Sequence, residues 1–463
     1  MRLHPVCMRG ARAAKRCRRL PLVTRLAVAV TLILCPAVTL HAGSWDAGAC
    51  CADLGQRILD LEQSLARSGR PSLELTVSGT VNHAFIFWDD GSARDAYITG
   101  GESDGSALTF DAETSDAGQS WSAGITIELE LLSAGSGHVS QSDTDGARTL
   151  EASEVSLWME FATLGQVAIG ATSARGSSGA NEHDLSGTES VAYAGVADIG
   201  GGFLLRAAAS QSPSHLTDIA WEGLIGSLDE PDGNAVTYSS PEWGGLTFSA
   251  LWGEDDVWSA ALGYDGAWPG GLEVSAGIAV SEDRDGSSEG AWNSQTLAGS
   301  LSVLETGSGI NVTVSGGVRE VRGASLMNSG TRGLASGASY VYAKAGWRGN
   351  LTGAGETRIY VEAAHFSGFL GADADAAGVA SLTGIASGPI CAGAGVPCFV
   401  SDSDAGVFGF GAVQAWSDIG VQLYAGYRRY GASIGLTDSS GRHMEAPAIA
   451  PLQTLMTGVV FEF

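Results

Sequence analysis

The sequence predicts an all-β protein: a transmembrane antiparallel β-barrel of sixteen strands, or eighteen, preceded by a short amphipathic helix. Three observations carry this prediction. The side chains alternate with a period of two almost throughout. In residues 72–91, SLELTVSGTVNHAFIFWDDG, the odd positions Leu73, Leu75, Val77, Val81, Phe85 and Phe87 are apolar, and Glu74, Thr76, Ser78, Thr80 and Asn82 between them are polar. Successive side chains of a strand point to opposite faces, so such a segment has one apolar and one polar face. Second, charged residues make up only 16% and hydrophobic ones 44%, against roughly a quarter charged in a soluble chain. Beyond the N-terminus, however, no stretch offers the about 20 mostly apolar residues of a helical span. A closed barrel, apolar outside and polar inside, is the other way to satisfy every backbone group in lipid. Third, the chain ends on an alternating strand with Leu455, Val459, Phe461 and Phe463 on one face.

Residues 1–42 read as an export signal. Arg9, Arg12, Lys15, Arg16, Arg18, Arg19 and Arg25 form a basic region, 26–34 a short apolar core, and Leu40-His41-Ala42 a small-residue end. A membrane anchor fits less well, because the core is short and Pro36 breaks it. The long basic region also allows translation to begin at Met8. Without the eight basic residues of this leader, 17 Lys and Arg face 51 Asp and Glu, a charge of −34. In a pore that excess predicts attraction of cations. It argues against nucleic acid as a partner. Cys50, Cys51, Cys391 and Cys398 remain after the leader. Four cysteines allow three pairings; Cys391–Cys398, closing a surface loop, is the favoured one.

Residues 43–71 form the next unit. Leu54, Ile58, Leu61 and Leu65 are spaced four, three, four, as a helix seam requires. Two heptads are marginal alone. They make either an amphipathic helix before the barrel or a short three-stranded coiled coil on the periplasmic side, and Gly69-Arg70-Pro71 stops them. The barrel occupies 72–463. After 72–91, strands are expected at 108–112, 121–131, 155–161, 167–171, 235–239, 246–252, 258–264 and 272–280. Further strands are expected at 295–303, 310–318, 339–347, 358–366, 407–415, 421–430 and 454–463. Segments 203–207 and 219–223 would raise the count to eighteen. Short turns alternate with long polar segments, which fits periplasmic turns and extracellular loops. Aromatic residues near strand ends, among them Phe85, Phe87, Trp88, Trp243, Trp252, Trp268 and Phe461, read as two interfacial girdles.

The long, poorly periodic segment 172–233 is the candidate constriction loop. A barrel of this size leaves an aqueous lumen, so selectivity needs something folded inside it. Glu182, Asp184, Glu189 and Asp198 are its candidate carboxylates. Alternation points Arg319, Lys344, Arg348, Arg358 and Arg428 into the lumen as a basic wall, since a charge facing lipid near the midplane costs about 2–4 kcal/mol. Carboxylates opposite such a wall would set up a transverse field. Any of these cations could instead pair with a wall carboxylate such as Glu128, Glu160 or Glu362. No phosphate-binding loop or zinc spacing is present, and His183-Asp184 are neighbours in sequence without a triad's geometry. No catalytic residue, metal or cofactor is therefore expected.

Cys50-Cys51-Ala52-Asp53-Leu54 leading into the Leu-rich helix, followed by LTVSGTVNHAFIFWDDG at 75–91, resembles the opening of alphaproteobacterial general porins. Asp184-Leu185-Ser186-Gly187-Thr188 after the fifth strand, and AVTYSSPEWGGLTFSALWGEDDVWSAALGYDG at 235–266, are similar to them too. The resemblance implies a homotrimer of sixteen-stranded barrels in the outer membrane, surrounded by lipid and lipopolysaccharide. Such barrels pass small hydrophilic solutes by diffusion, with the third loop folded into the lumen around Asp184. The tract Ala66-Arg67-Ser68-Gly69-Arg70-Pro71 is less basic than is usual in the family. Phe461 and the terminal Phe463 resemble the signal read by the barrel assembly machinery. A substrate-selective channel of the same fold is the alternative, and lumenal aromatics such as Trp158, Tyr340, Tyr342, Tyr360 and Tyr424 would favour it. A barrel enzyme or an adhesin is the remaining possibility.

Overall fold

Alternation decides the first strand. β1 (Leu73–Asp89) turns Leu75, Val77, Val81, Phe85 and Phe87 outward, where they stay exposed, while Asn82, Ala84, Ile86 and Trp88 point inward and are buried. The computed structural model describes residues 73–101, 105–116, 118–132, 135–143, 149–172, 183–208, 214–228, 233–254, 256–286, 292–323, 337–351, 353, 355–370, 398–438, 442–444 and 446–463. The expected export signal 1–42, the helix or coiled coil of 43–71, Glu182, Cys391 and the side chain of Cys398 lie outside the described residues.

β2 comes in two pieces, Arg94–Gly100 and Ala107–Ser115, which pair with successive parts of β1. Then follow β3 (Trp121–Leu132), β4 (Thr149–Phe161), β5 (Gly165–Thr172), β6 (Gly233–Ser239), β7 (Leu246–Gly253) and β8 (Trp258–Trp268). The second half holds β9 (Leu272–Gly286), β10 (Trp292–Glu305), β11 (Ile310–Gly323), β12 (Gly337–Gly349) and β13 (Glu356–Ser367). The wall ends with β14 (Cys398–Trp416), β15 (Val421–Asp438) and β16 (Leu452–Glu462). Each strand pairs antiparallel with the next. β16 returns to β1, with Glu462 opposite Thr80 and Gln453 opposite Asp89, so the sheet closes into a sixteen-stranded barrel. Connections at one end are tight, such as 162–164, 269–271 and 417–420; the other end carries the long segments, such as 173–232, 368–397 and 439–451.

All sixteen expected segments are wall strands, and most extend beyond the alternating part. The expected 407–415, for example, is the inner stretch of Cys398–Trp416. Past the lipid belt both faces of a strand meet polar surroundings, so the alternation that marks it fades. The eighteen-strand count is corrected. Residues 204–208 and 215–220 do form strands, but they pair with each other and with Ala448–Ile449 in a separate three-stranded sheet. Residues 221–223 are a turn of 3-10 helix. Trp88 also departs from the girdle: it points inward and packs on Phe203 with ring centroids 5.2 Å apart.

Candidate functional site

Strand register builds the site. On the lumen face, Asp265 of β8 lies opposite Ser275 of β9, Ser275 opposite Ser302, Ser302 opposite Thr313, and Thr313 opposite Lys344. The same row continues from Lys344 to Glu362, Gly409, Arg428 and Thr454, and reaches Trp88 on β1. One polar belt therefore crosses ten adjacent strands. The residues come from segments up to 366 positions apart, between Trp88 and Thr454, and only pairing brings them level.

The loop between β5 and β6 follows this belt. Ser275 Oγ donates to Asp265 at 2.5 Å, and His183 Nδ1 sits 2.7 Å from the same hydroxyl. The His183 ring lies over Gly277, where any Cβ would collide with it. The Leu185 amide donates to Ser302 at 2.9 Å, and Thr313 donates to Asp184 Oδ1 at 2.9 Å. Lys344 forms an ion pair with Asp184, the two side chains being 0% and 3% exposed, and also donates to Thr188 Oγ1 at 2.8 Å and the Ala192 carbonyl at 2.7 Å. Arg348 and Arg358 donate to the carbonyls of Leu185 (3.2 Å) and Gly187 (2.5 Å). Further on, Arg428 donates to the Val196 carbonyl at 3.0 Å, and Tyr430 donates to that of Ile199.

A second buried pair supports Arg428. Its Nε and Nη2 donate to the two oxygens of Glu362 at 2.6 and 3.1 Å, and Tyr342 donates to Glu362 at 2.9 Å. Gly409 lies between these two strands, and a Cβ there would overlap the Glu362 carboxylate. Beyond Ile199 the loop packs as a small apolar core. Phe203, Leu205, Ile219, Trp221, Leu224 and Ile225 are buried against lumen-facing Tyr340, Tyr430 and Ile434. Arg206 pairs with Asp90 at 2.8 Å beyond β1. Burial works to raise the Asp184 carboxyl, but the Lys344 ammonium beside it and the hydrogen bonds from Ser186 together hold this group below the usual carboxylate range. Burial pushes His183 down, against the pull of Asp265.

Four of the five expected wall cations, Lys344, Arg348, Arg358 and Arg428, face the lumen and bind the loop directly. Arg319 faces it as well, donating to Thr296 at 3.2 Å. Asp184 is therefore held by the cations instead of standing across a gap from them. Glu189 and Asp198 are half-buried in the loop, and the Asp198 carbonyl accepts from Ser136 at 2.5 Å. Tyr340, Tyr342, Tyr360 and Tyr424 are buried under the loop or the wall contacts, at most 5% exposed, so they line no aqueous track. Ser275, Ser302, Thr313 and Tyr430 could be found in the sequence only as inward-parity residues. Nothing there distinguishes them from any other lumenal polar group.

The opposite arc of the wall differs. β3 to β8 carry no Lys or Arg. Glu113 of β2, Glu128 and Glu130 of β3, and Glu154 and Glu160 of β4 face the lumen by parity, Glu151 faces it after a register shift that sets it opposite Glu130, and all are exposed or half-exposed. Glu128 stands directly opposite Glu154, and Glu130 opposite Glu151. Ser153 donates to Glu128 at 2.6 Å and Ser156 to Glu154 at 2.7 Å. Among the described residues, Glu113, Glu128, Glu154 and Glu160 have no cationic partner.

No family profile and no curated protein sequence matches the chain. Among solved structures it is similar to the loop L8 deletion mutant of OmpT, an outer membrane protein of Vibrio cholerae, with 13% identity and a TM-score of 0.47 over 84% of this chain and 99% of that one. It is also similar to an anion-selective porin from Comamonas acidovorans (12%, TM-score 0.49, 85% and 100%) and to Salmonella typhi OmpF in complex with daunomycin (12%, TM-score 0.43, 85% and 98%). At these identities the likeness concerns the fold alone. With an apolar exterior, a polar lumen and closed pairing, the chain is a multi-pass β-barrel of the outer membrane.

Proposed function

We propose that the chain is a passive pore for small hydrophilic solutes and ions, with a preference for cations and no catalytic step. The observation that carries this reading is the division of charge in the lumen. The wall cations of β12, β13 and β15 are engaged by the loop or by Glu356 and Glu362. Among the described residues, Glu113, Glu128, Glu154 and Glu160 of β2 to β4 are accessible and lack a cationic partner. A ring of carboxylates in a water-filled passage concentrates cations and repels anions. On this reading the wall, more than Asp184, sets the field, and the loop narrows the passage. The resemblance of 50–91 and 235–266 supports a place among alphaproteobacterial general porins, and with it a homotrimer.

Single-channel recording in a planar bilayer with a salt gradient tests this. The expected result is conductance steps in groups of three and a reversal potential of the sign for cation preference. Anion preference sinks the assignment of the field to these carboxylates. Isolated single steps, with a monomer mass in mild detergent, sink the trimer. Absence of any conductance sinks the pore itself.

A further inference from the structure

His183, at the start of the loop's path along the belt, sits in a notch of the wall. Gly263 of β8 and Gly277 of β9 stand opposite each other on the lumen face and leave the space of two side chains open there. The pair Asp265 and Ser275 borders the notch on one side, and Ala261 and Ala279 border it on the other. The His183 ring fills it and is 9% exposed. A Cβ at Gly277 would overlap Nε2 and Cδ2 of the ring, and one at Gly263 would meet Cε1 at 3.8 Å.

Hydrogen bonding fixes the state of this ring. The Ser275 hydroxyl has one hydrogen, and it goes to Asp265. The bond between Nδ1 and the same oxygen therefore takes its hydrogen from the ring. Nε2 is then the bare nitrogen of a neutral imidazole, buried and without a hydrogen-bond partner. The Ser300 hydroxyl, opposite Gly277 on β10, is unpartnered too, so it does not reach Nε2. A second proton on the ring would bury a cationic N–H where nothing accepts it, which costs more than an orphan lone pair.

The charges around the ring are few. Asp265 on β8 draws a proton toward it, and Glu273 on the lumen face of β9 is exposed to solvent. β7 and β10 turn Thr247, Ser300 and Ser302, and no charged group, toward the lumen near it. Asp184, next in the chain, is taken by Lys344. Burial outweighs the pull of Asp265, so in the notch the ring binds a proton at lower pH than a histidine in water, whose value is about 6.5. A ring turned out into water binds the proton more readily. The notch is therefore favoured above about pH 6.5 and loses its advantage as pH falls below that value.

We infer that His183 makes the ion preference of the pore depend on pH: neutral, its ring lies in the glycine notch, and protonated, it turns out into the passage beside Asp265 and adds a positive charge there. This rests on the reading of the chain as an open, cation-preferring pore. The Lys344–Asp184 clamp is untouched in both states, so the ring moves and the loop stays.

Reversal potentials of the parent, H183Q and G277A test it, measured from about pH 7.5 to about pH 5, where an unperturbed histidine is the side chain that titrates. The parent's cation-over-anion permeability ratio is expected to fall about twofold across this range, the effect of one added charge about 10 Å from the ion path at about 0.1 M salt. H183Q should lack this fall. G277A, whose methyl group keeps the ring out of the notch, should show it with a midpoint raised to about 6.5. Ring resonances of histidine-labelled barrel in detergent, assigned by comparison with H183Q, should give the same midpoints. Heat-modifiable migration on a gel confirms that each variant is folded. The same fall in the parent and H183Q overturns the inference, because the wall carboxylates then carry it. A ring midpoint in the parent at or above that of histidine in water overturns it as well, as does a G277A midpoint equal to the parent's. A conducting parent whose preference ignores pH removes the role of His183 and leaves the pore reading intact, whereas a parent that conducts at no pH overturns both.

Discussion

Two arcs of the same wall, built from the same alternating strands, use their lumenal charges in opposite ways. From β8 round to β1 the inward groups are spent on the loop: Lys344 on Asp184, Arg428 on Glu362 and the Val196 carbonyl, Tyr430 on Ile199. From β2 to β4 the inward groups include carboxylates with hydroxyl neighbours, and like charges stand directly opposite one another. Such pairs cost stability in a sheet, and counter-ions from solution offset that cost. The difference teaches that a lumenal charge contributes to the field in the passage only where the loop leaves it accessible. Counting acids and bases that face inward would misplace the field.

The sharpest way to break the comparison is to remove one clamp. Lys344→Met leaves Asp184 buried without its cation, and losing one partner of a buried pair costs about 3–5 kcal/mol. The loop is expected to detach, giving larger and noisier single-channel conductance and a lower unfolding midpoint. The D184N/K344M double variant, which leaves no lone charge, should recover part of that loss. A next, smaller effect concerns the crossing of β13, β14 and β15. Gly409→Ala forces a methyl group into the Glu362–Arg428 contact, and overpacking of this kind costs about 1–3 kcal/mol, readable in urea unfolding of the detergent-solubilised barrel.

Charge changes on the other arc should do the reverse, altering selectivity and leaving stability alone. E128Q/E154Q is expected to move the reversal potential toward zero, with the unfolding midpoint kept or slightly raised as a repulsive pair disappears. An unchanged reversal potential would assign the field elsewhere. Acidity sharpens the contrast further. The Asp184 carboxyl is depressed when folded, so its stabilising contribution is complete above the usual carboxylate range and is lost as pH falls through its lower folded value. Loop noise should therefore rise only at pH below about 4, the ordinary value for an aspartate. The smallest effect belongs to Arg348, whose pair with Glu356 is about a third exposed on both sides. Arg348→Ala should cost no more than about 1 kcal/mol.

Much of the wall was legible in the sequence, because a period of two with one apolar face has a single solution in lipid. Leu75, Phe85, Val341 and Phe461 had to face outward, and Lys344 and Arg428 inward, whatever the loops did. The loop's extent was legible as a loss of period, and its residues 204–208 and 215–220 were legible as extended but not as lying apart from the wall. What no local pattern contained was register. Whether Thr313 stands level with Ser302 and Lys344 depends on the turn at 306–309 and on every turn after it, and the belt exists only once the barrel has closed. Sequence by itself thus determined which residues face lipid and which face the lumen, because that choice is made residue by residue against the solvent. Tertiary structure alone decided which lumenal charges neutralise each other and which remain accessible, because that depends on pairing between strands hundreds of residues apart and on the path of one loop across them.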